Sequence, residues 1–176
     1  MDTVNHFERL GLPRRFALSP AEVERQYLAR SREVHPDYHQ LGSAGERLAS
    51  LELSAALNEA YATLRDPFRR AEYLLALAGG PSAAEFKEMD PAFLGETLEL
   101  REEIETLRET GGDRSAMERQ LTERQDEQLR EVAERFARLE ELPEGDGRLA
   151  GLLKEVRQRL NALKYVQGLL RDLRAD

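Results

Sequence analysis

Residues 19–37 read SPAEVERQYLARSREVHPD, with a helix start at one end and a helix stop at the other. Ser19 suits an N-cap, Pro20 the first helical position, and Glu22 completes a capping box. Together they satisfy or dispense with N–H groups that a first turn leaves unpaired. At the far end Pro36 disfavours the α region for His35 and has no N–H of its own. The helix is therefore expected to run to about Val34, and His35-Pro36-Asp37 to form a turn. Val23, Tyr27 and Val34 fall within roughly 40° of one another at 100° per residue and should be the buried stripe. Arg25 and Arg32 lie almost opposite, on what is expected to be a solvated face. A turn that holds an imidazole, a rigid ring and a carboxylate together can grip a partner's polar groups, and it can equally serve only to stop a helix.

Outward from this stretch the chain stays helical. Tyr38 to Gly45 is a polar loop, and a second long helix is expected over 44–64, with Leu53, Leu57, Tyr61 and Leu64 as its apolar stripe. Arg65-Asp66-Pro67 stops it, and a shorter helix follows over 68–78, with Ala71, Leu74, Leu75 and Ala78 apolar. Upstream, Phe7 and Leu10 have helical spacing before the stop Gly11-Leu12-Pro13; His6 beside them reads as a packed or solvent-facing side chain. Two antiparallel helices with short flanking ones make a small helical domain, residues 1–80. Gly79-Gly80-Pro81-Ser82 is the clearest compositional break, and the domain boundary is placed there. Residues 1–80 hold 10 basic and 11 acidic groups, and residues 81–176 hold 16 and 23.

Residues 81–176 read as three helices joined by short connections, hence a three-helix bundle. The first, about 91–109, starts at the cap-plus-proline pair Asp90-Pro91. The second covers about 115–141, with Met117, Leu121, Leu129, Val132, Phe136 and Leu139 at three- and four-residue steps. The third covers about 148–174, with Leu149, Leu153, Val156, Leu160, Leu163 and Leu170 on one stripe. In the first of these, Phe93, Leu100, Ile104 and Leu107 share roughly 60° of arc and should be core. Leu94 and Leu98 stand off that arc, beside Arg101, Glu102 and Glu105. Two leucines one turn apart among charges suit a face that docks on another protein. In the third helix Tyr165, with Leu169 nearby, also stands off the stripe, and tyrosine brings contact area at little rotamer entropy. A core arc wider than usual would account for the same pattern.

Composition removes several function classes. A net charge of −8 over 176 residues argues against a general nucleic-acid binder, which needs a basic surface. With no cysteine there can be no disulfide, thiolate chemistry or Cys-ligated zinc or iron–sulfur site. No apolar run approaches the roughly 18 residues of a membrane span. The start, Met1-Asp2-Thr3, lacks the basic-then-apolar pattern of a secretory signal, so a cytoplasmic location is expected. Leu, Ala, Glu, Arg and Gln dominate while Val and Ile are scarce, which favours an all-α fold. His35 and His39 have the spacing of a helical metal pair, but Pro36 prevents that helix and no third ligand is evident. An enzyme using His35, Asp37 and His39 would lack both a phosphate loop and a second carboxylate cluster. No cofactor is expected.

Taken together, several blocks carry a resemblance. Tyr27-Leu28, His35-Pro36-Asp37, the run Leu57-Asn58-Glu59-Ala60-Tyr61-Ala62-Thr63-Leu64-Arg65-Asp66-Pro67, and Arg70-Ala71-Glu72-Tyr73 resemble a J-domain. The likeness continues through Leu74-Leu75, Phe93-Leu94 and Leu98-Glu99-Leu100-Arg101-Glu102-Glu103 and covers essentially the whole chain. It resembles the HscB family, in which a J-domain precedes a three-helix bundle. The resemblance implies a co-chaperone with no catalytic activity of its own. It would stimulate the ATPase of a DnaK-class (HscA-like) chaperone and deliver to it an iron–sulfur cluster scaffold protein, for cluster maturation and transfer. By position, His35, Pro36 and Asp37 would be the stimulating turn, and Arg25 and Arg32 part of the chaperone-docking face. The scaffold-binding face would comprise Leu94, Leu98, Glu99, Arg101 and Glu102, with Tyr165. The chain departs from the family pattern at Tyr38, where J-domains carry Lys or Arg; at Arg30, commonly apolar; at Leu28 and Ala29, often basic; and at Gly95, where a larger apolar residue is common. A J-domain protein of general client range is the alternative; an exposed methionine-rich or aromatic groove would favour it, and the sequence has neither.

Overall fold

The computed structural model describes residues 4–34, 43–143 and 145–175. Among these every regular element is an α-helix: α1 (His6–Leu10), α2 (Pro20–Val34), α3 (Ala44–Arg65), α4 (Pro67–Leu77), α5 (Pro91–Thr110), α6 (Ser115–Glu141) and α7 (Leu149–Arg174). The architecture is all-α. The chain divides into two compact units, Met1–Leu74 and Leu75–Asp176.

In the first unit local chemistry sets both ends of α1 and the starts of α2 and α3. Asn5 and Glu8 form a reciprocal capping box at α1, and Gly11 ends that helix at φ 67°, a left-handed conformation that costs glycine little. Ser19 Oγ accepts the Glu22 N–H at 3.1 Å, opening α2. Ser43 and Glu46 form the capping box of α3. The core gathers Phe7, Leu10, Leu12, Phe16, Leu18, Val23, Leu57, Ala60, Leu64, Ala71 and Leu74. Tyr27 stacks on Tyr61 with ring centroids 4.2 Å apart, and its hydroxyl donates to Asn58 Oδ1 at 2.7 Å. Arg70, 5% exposed, donates from Nη1 to the Leu64 carbonyl at 2.8 Å and lies over the Phe16 ring. That bond satisfies a carbonyl near the end of α3, which has no helical partner.

One expected stripe is corrected here. Leu53 is 47% exposed rather than buried. The positions that face the end of α2 are Ser50 and Ser54, whose hydroxyls both donate to the Val34 carbonyl, at 2.6 and 3.4 Å. A last-turn carbonyl of α2 needs a donor, so serine rather than leucine takes the inward place.

α1 also carries a titratable contact. The His6 ring stacks on Tyr73 at 4.3 Å, and the Tyr73 hydroxyl accepts the His6 backbone N–H at 3.0 Å. Burial holds the imidazole below its ordinary range, against a smaller upward pull from Glu59. A histidine depressed on folding binds its proton more readily when unfolded. Its contribution to stability is therefore complete above about pH 6.5 and is lost as pH falls below that value. His6→Phe keeps the stack and removes the proton. Its melting temperature should fall less than the wild type's between pH 7 and pH 5; identical falls would show that His6 does not titrate against the fold.

In the second unit α7 is the central helix. It packs against α6 on one side and α5 on another. Residues 81–86 are tied to it as well: Arg157 Nε donates to the Pro81 carbonyl at 2.9 Å, and Asn161 Nδ2 to the Phe86 carbonyl at 3.0 Å. The expectation of a single α7 stripe is thereby corrected. Ala162, Val166, Leu169 and Leu173 are buried in addition to Leu153, Val156, Leu160, Leu163 and Leu170. Leu169 in particular belongs to the core, clustered with Leu100, Ile104, Met117 and Leu121. α5 begins with Asp90 Oδ1 accepting the Ala92 N–H and with Pro91 at the start of the helix. Its buried residues are Thr97, Leu100 and Ile104, with Phe93 and Leu107 packed at the edge. Along α6 and α7 a charged ladder closes one seam: Glu131 meets Arg159 at 2.8 Å and Arg135 at 3.2 Å, and Arg135 also reaches Glu155. Partly shielded, these charges reinforce one another more than isolated surface pairs do.

At the start of this unit Gly80 donates its N–H to the Leu75 carbonyl at 2.9 Å, closing α4 over Gly79 at φ 75°. A methyl group on Gly80 would collide with the Leu75 side chain, which is fully buried and would have to shift to admit it.

Candidate protein-docking site

α5 divides by face. With Leu100 and Ile104 turned into the core, Leu94 and Leu98 are left 37% and 59% exposed. Arg101 continues their line one turn further on. Its guanidinium lies over the Tyr165 ring, 5.6 Å from the centroid. The structure thus brings Leu94, Leu98 and Arg101 of α5 together with Tyr165 of α7, four residues that the sequence places in two helices. The stacked arginine gives the leucine line a polar end whose flat face rests on an aromatic ring. Gly95 beside them has open space where a side chain would project, so the patch is narrower than a larger residue would make it.

Glu99 and Glu102 stand elsewhere on the helix. Both line a groove toward α6 that also takes in Glu103, Asp113 and Met117. In the same direction Glu96 pairs with Arg124 at 2.6 Å. Glu102 stands between the two faces, whereas Glu99 leans away from Leu94. The six residues singled out on this unit therefore form an apolar–cationic patch toward α7 and an acidic edge toward α6.

In the first unit, Arg25 and Arg32 are exposed on α2, on the side away from Val23. Leu28, 47% exposed, shares that open side. His35, Pro36 and Asp37, with Tyr38 and His39, lie outside the described residues. Among the described residues no group of three His, Cys, Asp or Glu side chains is arranged to hold a metal ion. Among the same residues no helix is long and apolar enough to cross a membrane.

The sequence reading missed a cluster that this geometry exposes. Lys87, Arg101, Lys164 and Arg171 line one cleft beside Tyr165, of about 330 Å³. Its components come from the segment before α5, from α5 and from α7. Each cation taken alone reads as part of a solvated surface. The one available signal was rarity, since the chain has only three lysines, Lys87, Lys154 and Lys164, and two of them line this cleft.

Comparison with known proteins agrees with this two-part organisation. Residues 5–73 match the DnaJ domain family, and residues 89–174 match the HSCB C-terminal oligomerisation domain family. The solved structure of the chaperone HscB from Vibrio cholerae superposes over 96% of this chain and 94% of its own, at 31% sequence identity and a TM-score of 0.77. This chain belongs to the HscB family. Human co-chaperone HscB, 23% identical, shares the fold at a TM-score of 0.77 over 98% of this chain and 82% of its own. Among curated HscB relatives, the co-chaperone HscB homologue of Bordetella pertussis is 44% identical over 105 residues, and that of Vibrio cholerae 43% over 105. Those alignments take in 59% of this chain and 62% and 61% of the relatives, so the chain spans about three-fifths of the curated HscB sequences it matches. The first unit is accordingly the J-domain of an HscB-family chain. The α5–α7 patch lies in its HSCB C-terminal domain.

Proposed function

We propose that this chain is an adaptor. It stimulates the ATPase of a DnaK-class, HscA-like chaperone through its J-domain and holds an iron–sulfur cluster scaffold protein on its C-terminal domain. The observation that carries this reading is the Leu94–Leu98 pair, held out of the α5 core and continued by Arg101 over Tyr165. A monomeric helix gains nothing from two leucines one turn apart in water, and a partner that covers them gains most of their transfer free energy. At the J-domain, His35-Pro36-Asp37 with Arg25 and Arg32 would engage the chaperone, the arginines steering encounter with an acidic partner surface. Stimulation follows if the turn binds the hydrolysis-competent state of the chaperone more tightly than its other states. Carrying client and J-domain on one chain raises the effective concentration of the client at the chaperone.

The test is calorimetric titration of the full chain with the folded scaffold protein and, separately, with an extended apolar peptide. Saturable one-to-one binding of the scaffold and none of the peptide is expected. Binding of the peptide but not of the scaffold would overturn the adaptor reading in favour of a general client range.

A further inference from the structure

The cleft beside Tyr165 is chemically at odds with its surroundings. Residues 81–176 hold 23 acidic groups against 16 basic ones. Five other cations of this unit are in ion pairs, Arg124 with Glu96, Arg135 and Arg159 with Glu131, Arg148 with Asp146, and Arg174 with Glu118, while others such as Arg130 and Lys154 stand apart from one another on the surface. Among the described residues no ion pair reaches Lys87, Arg101, Lys164 or Arg171. They converge on one cleft, whose lining includes a single carboxylate, Asp172. The convergence is built in. Lys164, Gly168 and Arg171 recur along one face of α7. The Asn161 bond to the Phe86 carbonyl fixes the neighbouring Lys87 on the other wall. Arg101 is common to the cleft and to the leucine patch.

Four like charges held around a cleft repel one another, and an anionic ligand relieves that repulsion. The walls between the cations are apolar, contributed by Ala83, Met89 and the Tyr165 ring. That combination suits carboxylate side chains carried on a peptide, whose methylene and backbone groups can lie on the apolar wall while their charges reach the lysines. Because Arg101 joins the cleft to Leu94 and Leu98, one partner can fill both. We infer that this cleft receives an acidic segment of the protein that docks on Leu94 and Leu98, so that recognition has an apolar half and an anionic half. The inference rests on the adaptor reading and names the chemistry of the scaffold segment.

The experiment is titration of the full chain with the scaffold protein at low and high salt, for the wild type and for Lys164→Glu with Arg171→Glu. Both residues are exposed, so reversal leaves the fold intact. The double reversal should weaken binding by about tenfold or more at low salt, with the difference shrinking several-fold at ~0.5 M salt as charges are screened. Lys164→Arg with Arg171→Lys should bind as the wild type does. If wild type binds the scaffold and the double reversal binds equally well at both salts, the cleft inference is overturned while the adaptor reading stands. If wild type does not bind the scaffold at all, the adaptor reading fails first. A parallel titration with inorganic phosphate, followed by the amide signals of residues 164–172, separates a small-anion site: phosphate that competes the scaffold off at sub-millimolar concentration would overturn the peptide assignment.

Discussion

His35→Gln brings the stimulated ATPase rate of the DnaK-class chaperone back to its unstimulated value and leaves the variant's melting temperature and scaffold affinity unchanged. The glutamine side chain keeps a polar tip of similar reach, but it loses the aromatic ring and the proton-sharing nitrogens that a partner can grip. His35 follows directly on Val34, the last residue of α2, and precedes Pro36. A substitution at that junction removes no residue from the Val23–Leu57–Leu64 core. The effect on rate should thus be the whole of the stimulation, and the effect on stability within about 0.5 kcal/mol. Stimulation by the variant equal to that by the wild type would remove the turn from the mechanism. A fall in melting temperature would instead assign His35 a structural role.

Leu94→Ala with Leu98→Ala produces the second large effect, a loss of scaffold affinity of about 2–4 kcal/mol, or roughly 30- to 1,000-fold. The range is that of two anchor side chains truncated near the centre of an interface. Folding should not suffer: Leu98 is 59% exposed, and alanine has at least as good a helix propensity as leucine. Leu100→Ala on the same helix is the contrasting control. That side chain is 6% exposed, so its truncation opens a cavity and should cost about 2–5 kcal/mol of stability. Unchanged scaffold affinity in the double variant, with helicity intact by circular dichroism, would put the interface on another face.

What could be read from the sequence, and what could not, follows from how far each feature depends on tertiary context. The starts of α2 and α5 were legible because Ser19-Pro20 with Glu22, and Asp90-Pro91, act within a single turn. The outward set of Leu94 and Leu98 was legible because α5 buries one narrow arc, and anything off that arc must face outward. Leu169 was not legible in this way, because α7 is covered by α5, by α6 and by residues 81–86, and no single stripe describes it. Leu53 was not legible either, because the end of α2 requires hydroxyl donors at Ser50 and Ser54, a demand that apolar periodicity does not register. The stacking of Arg101 on Tyr165, and the convergence of Lys87, Lys164 and Arg171, join residues as many as 84 positions apart, which only the packed fold brings together. His35-Pro36-Asp37 remains a reading of the sequence, supported by membership of the HscB family.

The central claim, that one chain couples a scaffold to a chaperone, is tested most directly by the steady-state ATPase rate of the DnaK-class chaperone. That rate is measured alone, with this chain, with the scaffold protein, and with both together. The account predicts that the chain stimulates on its own and that chain and scaffold together exceed the sum of their separate effects. No stimulation by the chain, or stimulation that the scaffold leaves unchanged, would contradict it.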